Sequence, residues 1–288
     1  MRTEIYSLAL TLVFVGLHFW LPDLVQDLSP WFLAVGLIFP GIPHGAVDHW
    51  VRLKNVQWFS KAMALFFAQY ILVMLLVAGL WWLSPALGLL SFIGYSAWHF
   101  GETDLRDWQQ YSPRLSWFWG SGVLLTLLFS HPAEFAYYLK IYGLNPMGYW
   151  WQPGLASGLI ALALALFMSR DTSFRPMALT ALVVALGSFL PLLLAFALYF
   201  IVGHSFRGWR HLQAQTPGGF SALLKMALPF SLLAFVFLGV AIGLGAWFSA
   251  DGLEFWPWLF VFVAALSAPH VWVMHGFYQK GQQVTETV

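Results

Sequence analysis

Residues 177–206 read MALTALVVALGSFLPLLLAFALYFIVGHSF, and the number of times this stretch crosses a membrane decides the architecture. It holds no Asp, Glu, Lys or Arg. As one helix it would be about 45 Å long at 1.5 Å per residue, too long for a hydrocarbon core of about 30 Å without strong tilt. Pro191 sits at its middle, behind Gly187 and Ser188. Proline removes a backbone donor and breaks helices, so the alternative is two short helices meeting near Pro191.

The rest of the chain makes a membrane reading necessary. Hydrophobic residues are 60% of the 288 and charged residues 9%. A soluble domain carries about 25% charged residues, so this chain cannot clothe a globular surface in water-compatible groups. Disorder, coiled coil, collagen and a secreted disulfide scaffold are excluded. Cysteine is absent, which removes disulfides, thiolate metal sites, iron–sulfur clusters and Cys nucleophiles. The thirteen Lys and Arg are scattered between apolar runs, so no nucleic-acid partner is expected. The run from Ile5 to Leu21 has no small-residue cleavage site after it and more spans follow, so it reads as a first transmembrane helix.

Further spans read as 31–49, 58–83, 86–101, 115–130, 151–169, 221–248 and 255–279. Basic residues assign the sides. Arg2, the group Arg52, Lys54 and Lys61, the pair Arg106 and Arg114, the pair Arg170 and Arg175, the group Arg207, Arg210 and Lys225, and Lys280 mark one side. The intervening connections, around Asp23 and Asp27, at Ser84–Pro85, 131–150 (with only Lys140) and at Asp251 and Glu254, are poor in basic residues. The alternation is unbroken only if 177–206 crosses twice. The expected fold is all-α: a polytopic transmembrane helical bundle of about 8–10 segments, 1–288 forming a single integral membrane domain. Both termini are expected in the cytoplasm, with the chain in the cell (inner) membrane.

Nine histidines in such a chain need a reason, because ionisable groups at membrane depth are costly and usually face a cavity or pair with one another. Four polar islands hold most of them: GIPHGAVDHW with His44, Asp48 and His49; YSAWHFGETD with His99, Glu102 and Asp104; VGHSFRGWRH with His204, Arg207 and His211; SAPHVWVMHG with His270 and His275. In the ten-segment arrangement His44, His99, His204 and His270 lie on four helices of like direction, at similar depth. Neutral imidazoles bind Zn, Cu, Fe or Ni, and nearby acids orient such ligands. Asp48, four residues after His44, and Glu102, three after His99, suit that role, as does Asp104. His18 and His131 read as packing residues, and Arg207 and Arg210 as ordinary cytoplasmic boundary charges. Gly45, Gly101 and Gly203, each beside a motif His, allow close approach. Aromatic residues are 19% of the chain. Trp98, Phe100, Phe206 and Trp272 flank the histidine motifs, and an aromatic pocket there suits a long conjugated hydrocarbon.

The motifs, in this order, resemble the Brp/Blh family of membrane proteins, β-carotene 15,15′-dioxygenases that form retinal for rhodopsins. PHGAVDH resembles the family's PHGAxD, WHFGETD its HFGxxD, GHSFR its HSxRH and APHVWV its late PH motif. The resemblance runs from about Gly41 to His275. It implies Fe(2+) as cofactor, held by His44, His99 and His204. It also implies β-carotene from the bilayer and O2 as substrates, with retinal passed on to a rhodopsin. In HSxRH a second His follows four residues after the first; here that position is Gly208. His211 is seven residues on, about 10.5 Å along a helix, so His270 is taken as the fourth metal ligand and His211 as second choice. No catalytic side chain beyond the metal ligands is expected. Two other classes share the features: a transporter using the histidines as a proton or metal relay, and a b-type haem membrane protein using paired histidines.

Overall fold

The computed structural model describes residues 2–54, 57, 59–145, 148–248 and 255–286, and every regular element among them is helical. In chain order the α-helices are α1 (Arg2–Trp20), α2 (Pro22–Gly36), α3 (Ile42–Gly45), α4 (Asp48–Leu53), α5 (Lys61–Leu83), α6 (Pro85–Asp107), α7 (Pro113–Phe129), α8 (Pro132–Ile141), α9 (Trp151–Phe167), α10 (Asp171–Gly187), α11 (Leu192–Ala197), α12 (Phe206–Gln215), α13 (Gly219–Phe248) and α14 (Phe255–Glu286). Leu37–Gly41 and Leu198–Ser205 are π-helical.

Among the described residues six stretches are long and apolar enough to cross a bilayer: Thr3–Trp20, Pro22–Leu53, Lys61–Leu83, Leu192–Gln215, Gly219–Val240 and Trp258–Gln279. Trp151–Phe167 and Phe174–Gly187 are shorter apolar helices. Burial is inverted relative to a soluble protein. Leu72, Leu75 and Leu76 of α5 are more than half exposed, while Glu4, Asp48, Glu102, Asp104 and Arg207 are buried. Only a hydrocarbon surround makes that arrangement favourable. The chain is a polytopic transmembrane helical bundle.

Local chemistry sets the helix starts. Proline opens α2, α7 and α8, where a missing N–H costs nothing. Ser60 and Ser112 cap α5 and α7 by accepting from the Met63 and Leu115 amides. Two expectations need correction. The connection around Asp23 and Asp27 is helical, because Pro22 restarts a helix directly after Leu21. The segment expected at 31–49 therefore begins at Pro22 and continues through the π-helical turn to Leu53. The 131–150 connection holds α8. The acidic connection at Asp251 and Glu254 lies outside the described residues.

The chain forms two compact units: Met1–Gly41 with Ser96–His211, and Ile42–Tyr95 with Leu212–Val288. The first shows how 177–206 runs. At one end, Glu4 of α1 contacts Arg207 of α12, Arg207 contacts Asp104 near the end of α6, and Gln110, just after α6, accepts from the Arg170 amide ahead of α10. At the other end, His131 before α8 meets the Gly187 and Leu190 carbonyls, and Glu134 accepts from the Leu192 amide. So α10 runs out and α11–α12 return, with the break at 188–191, where Pro191 precedes α11. α9 packs antiparallel on α7: Gly154 faces Phe129, Gly158 faces Thr126 and Leu162 faces Gly122. α6 and α7 touch backbone to backbone. A Cβ on Gly101 would overlap the Ser116 carbonyl, and one on Gly120 the Ala97 carbonyl, the small-residue contact that lets membrane helices approach.

In the second unit α14 packs along α5 and against α4 and α13. Ile42, Ala234 and Phe262 form a small apolar cluster there. Pro269 lies inside α14 and removes one backbone donor from it. In the turn before it, the Ala264 carbonyl accepts from Tyr95 at 2.6 Å and from Ser267 at 3.1 Å.

Candidate functional site

The second unit brings His44 and His270 together. Their rings meet edge to face, centroids 4.7 Å apart at 90°, and both are buried. His270 Nδ1 lies 2.9 and 3.1 Å from the two Asp48 oxygens. Tyr70 of α5 donates to Asp48 Oδ2 at 3.0 Å. When Asp48 is ionised it is acceptor-only, and the ring proton then lies on Nδ1 and the lone pair on Nε2. A carboxylate behind one imidazole nitrogen is how metal-binding histidines are commonly oriented. Gly45 makes room for the pair, since a Cβ there would meet the His270 ring at 3.3 Å.

The first unit brings His99 and His204 together in the same edge-to-face manner, centroids 4.9 Å apart at 75°. Phe100 packs on His204 at 4.6 Å, and Phe200 stacks on it at 5.8 Å and 19°. His204 stands in the π-helical stretch Leu198–Ser205; such bulges recur at functional sites because they re-aim side chains. Beside the pair lies a buried charge cluster. Asp104 Oδ1 accepts from Arg207 Nε at 3.0 Å, and its Oδ2 from Trp119 Nε1 at 2.9 Å and Tyr199 at 3.0 Å. Arg207 is 0% exposed, which corrects its reading as a boundary charge: it lies in the first turn of α12, where Asp104 and Glu4 neutralise it.

The other residues singled out by sequence are placed as follows. Glu102 is held by Arg106, Nε at 3.1 Å and Nη2 at 2.8 Å. His211 Nε2 lies 3.0 Å from Asp107, whose two oxygens also take Arg210. Trp98 packs on Trp117. Phe206 and Trp272 are about half exposed, and Trp272 lies under Arg52 at 5.2 Å. His49 is buried against Phe230 and Phe67. His131 bridges the Leu127 and Leu190 carbonyls and so staples α7 to the 188–191 break. Among the described residues no three His, Asp or Glu side chains stand arranged as a metal cage.

Sequence reasoning missed Tyr70, Tyr199, Trp119 and Glu4. The tyrosines and Trp119 are indistinguishable from interfacial aromatics in a chain so rich in them. Glu4 gave no clear signal, because it sits beside Arg2 and Thr3 at the polar start of α1.

Fold and site define a polytopic helical membrane protein with a buried histidine pair in each of its two units. The family model for beta-carotene 15,15′-dioxygenase matches residues 35–278, and the chain belongs to that family. Membership assigns it a carotenoid dioxygenase function in general terms. No curated protein and no solved structure matches the chain.

Proposed function

We propose that the chain is a non-haem Fe(II) enzyme that splits the central double bond of β-carotene with O2, giving two molecules of retinal. The observation that carries this reading is the pairing of four buried imidazoles, His44 with His270 and His99 with His204, with Asp48 seated behind His270. These four histidines are the donors proposed for the iron. An all-nitrogen donor set with a carboxylate behind one ring fits a ferrous ion as it fits other imidazole-binding metals; the family's oxygen chemistry selects iron. A bound ferrous ion supplies the one-electron chemistry through which O2 reacts with a closed-shell polyene. The atoms balance: one carbon–carbon double bond is lost, and each of its carbons leaves as an aldehyde carrying one oxygen of O2.

The chain's own contribution is placement and exclusion of water. Asp48 and Tyr70 fix the His270 tautomer. Phe100 and Phe200 hold His204 against rotation and present apolar faces of the kind a polyene stacks on. No side-chain nucleophile or general base is needed. Lateral entry of the substrate from the bilayer suits a chain whose outer surface is apolar helix. The deciding experiment is metal analysis of purified protein together with identification of the products from β-carotene. Stoichiometric iron and retinal support the reading; a Soret band, or cleavage away from the central bond, overturns it.

A further inference from the structure

Arg207, Glu4 and Asp104 form an ion cluster 0–1% exposed. Arg207 Nη1 reaches Glu4 Oε1 at 3.1 Å, and Nη2 reaches Asp104 Oδ1 at 2.9 Å. Trp108 Nε1 donates to Glu4 Oε1 at 3.0 Å, and the Arg207 guanidinium lies over the Trp108 ring at 5.2 Å. Charges buried this deeply are poor stabilisers, because desolvation consumes most of the attraction and an apolar set of the same volume often does better. Their use must therefore lie in geometry.

The geometry is specific. Asp104 follows His99 by five residues on α6. Its two partners from the other chain segment, Tyr199 and Arg207, lie five residues before and three after His204. One carboxylate thus ties together the two segments that carry the His99–His204 pair, on both sides of His204. The π-helical stretch Leu198–Ser205 departs from the regular α-helical ladder, and Asp104 holds it through Tyr199 within it and Arg207 just after it. Glu4 completes the clamp by holding the remaining arm of Arg207. It does so from α1, ahead of the family-matched residues 35–278.

We propose that Glu4 and Asp104, acting through Arg207, are positioning residues for the His99–His204 pair, so that α1 is part of the catalytic apparatus. The inference rests on the reading that this pair serves carotenoid cleavage. Misplacing a reacting group by about 1 Å can cost on the order of a hundredfold in rate, so a clamp of this kind is felt in turnover before it is felt in folding.

The test uses the full-length protein in detergent with three variants: Glu4→Gln, which keeps shape and hydrogen-bonding capacity but removes the charge; Tyr199→Phe; and the apolar triple Glu4→Leu/Asp104→Leu/Arg207→Met. Turnover of β-carotene, iron per chain and melting temperature are measured for each. Both single variants are expected to lose about tenfold or more in kcat, with KM within about twofold and melting little changed. The triple is expected to melt at or above the wild-type temperature yet stay inactive and bind less iron. A triple variant that regains wild-type kcat makes the cluster structural only and overturns the proposal, as does Glu4→Gln at full kcat. If wild-type protein cleaves carotene without iron, the metal reading fails while the kcat comparison still decides on the clamp. If it binds iron but cleaves nothing, iron occupancy across the three variants decides.

Discussion

The Asp48 carboxylate sits 2.9 Å from Nδ1 of His270, a residue 222 positions away in sequence. One helix end thereby sets the tautomer of a histidine on another. Asp48→Ala is expected to lower iron affinity by about 10–100-fold, the usual cost of losing such a carboxylate. Tyr70→Phe removes only the hydroxyl that steadies Asp48 and should cost about fivefold, one ordinary hydrogen bond. Iron titration of apo-protein checks both. Equal losses for the two variants would mean Tyr70 matters for more than steadying Asp48.

Removing an imidazole from either pair is expected to be severe. His44→Ala, His99→Ala, His204→Ala and His270→Ala should each abolish carotenoid cleavage and lower bound iron. His18→Ala should do neither. Activity and iron content measured on the same preparations separate these cases. Full activity in all four would sink the metalloenzyme reading and favour a transporter.

His211 and His131 provide contrasting controls. His211 is engaged by Asp107, so His211→Ala should keep both iron and activity; an iron-poor His211→Ala protein beside an iron-replete His270→Ala protein would make His211 the fourth ligand instead. His131→Ala should leave iron in place but cost about 1–3 kcal/mol of stability, because it strips partners from buried carbonyls. Thermal melting in detergent reads that loss.

The backbone contact between α6 and α7 has no slack. Gly101→Ala is expected to destabilise by about 1–3 kcal/mol through overpacking against the Ser116 carbonyl. Because Gly101 is two residues from His99, activity should fall with it. Gly94→Ala on the same helix meets nothing within 4 Å and should be close to neutral.

Topology is checked with reporter fusions after Arg170 and after Gln215. Because α10 runs out and α11–α12 return, the two reporters should lie on the same side of the membrane, and that side is expected to be the cytoplasm. Opposite locations would mean that 177–206 crosses once.

Much of this was legible in the sequence. Composition called for a membrane protein, and continuous apolar runs of about 20 residues made its spans helical, since in hydrocarbon the backbone must satisfy its own hydrogen bonds. Pro191 announced the break in 177–206 through its missing donor, and the spacing of Lys and Arg called for two crossings there. The polar islands singled out His44, His99, His204 and His270, because a polar side chain among apolar neighbours is a local signal. What only the tertiary structure decided is which of these groups meet. The partnering of His44 with His270 and of His99 with His204 spans long separations that no periodicity encodes. Arg207 reads as a boundary cation beside Arg210, yet it is buried between Asp104 and Glu4, which are 103 and 203 residues away in sequence. Glu4, at the far end of the chain from Arg207, becomes its counter-ion only because α1 and α12 begin at the same end of the first unit. Burial and ion pairing are properties of neighbours brought together by the fold, and the order of residues along one chain does not carry them.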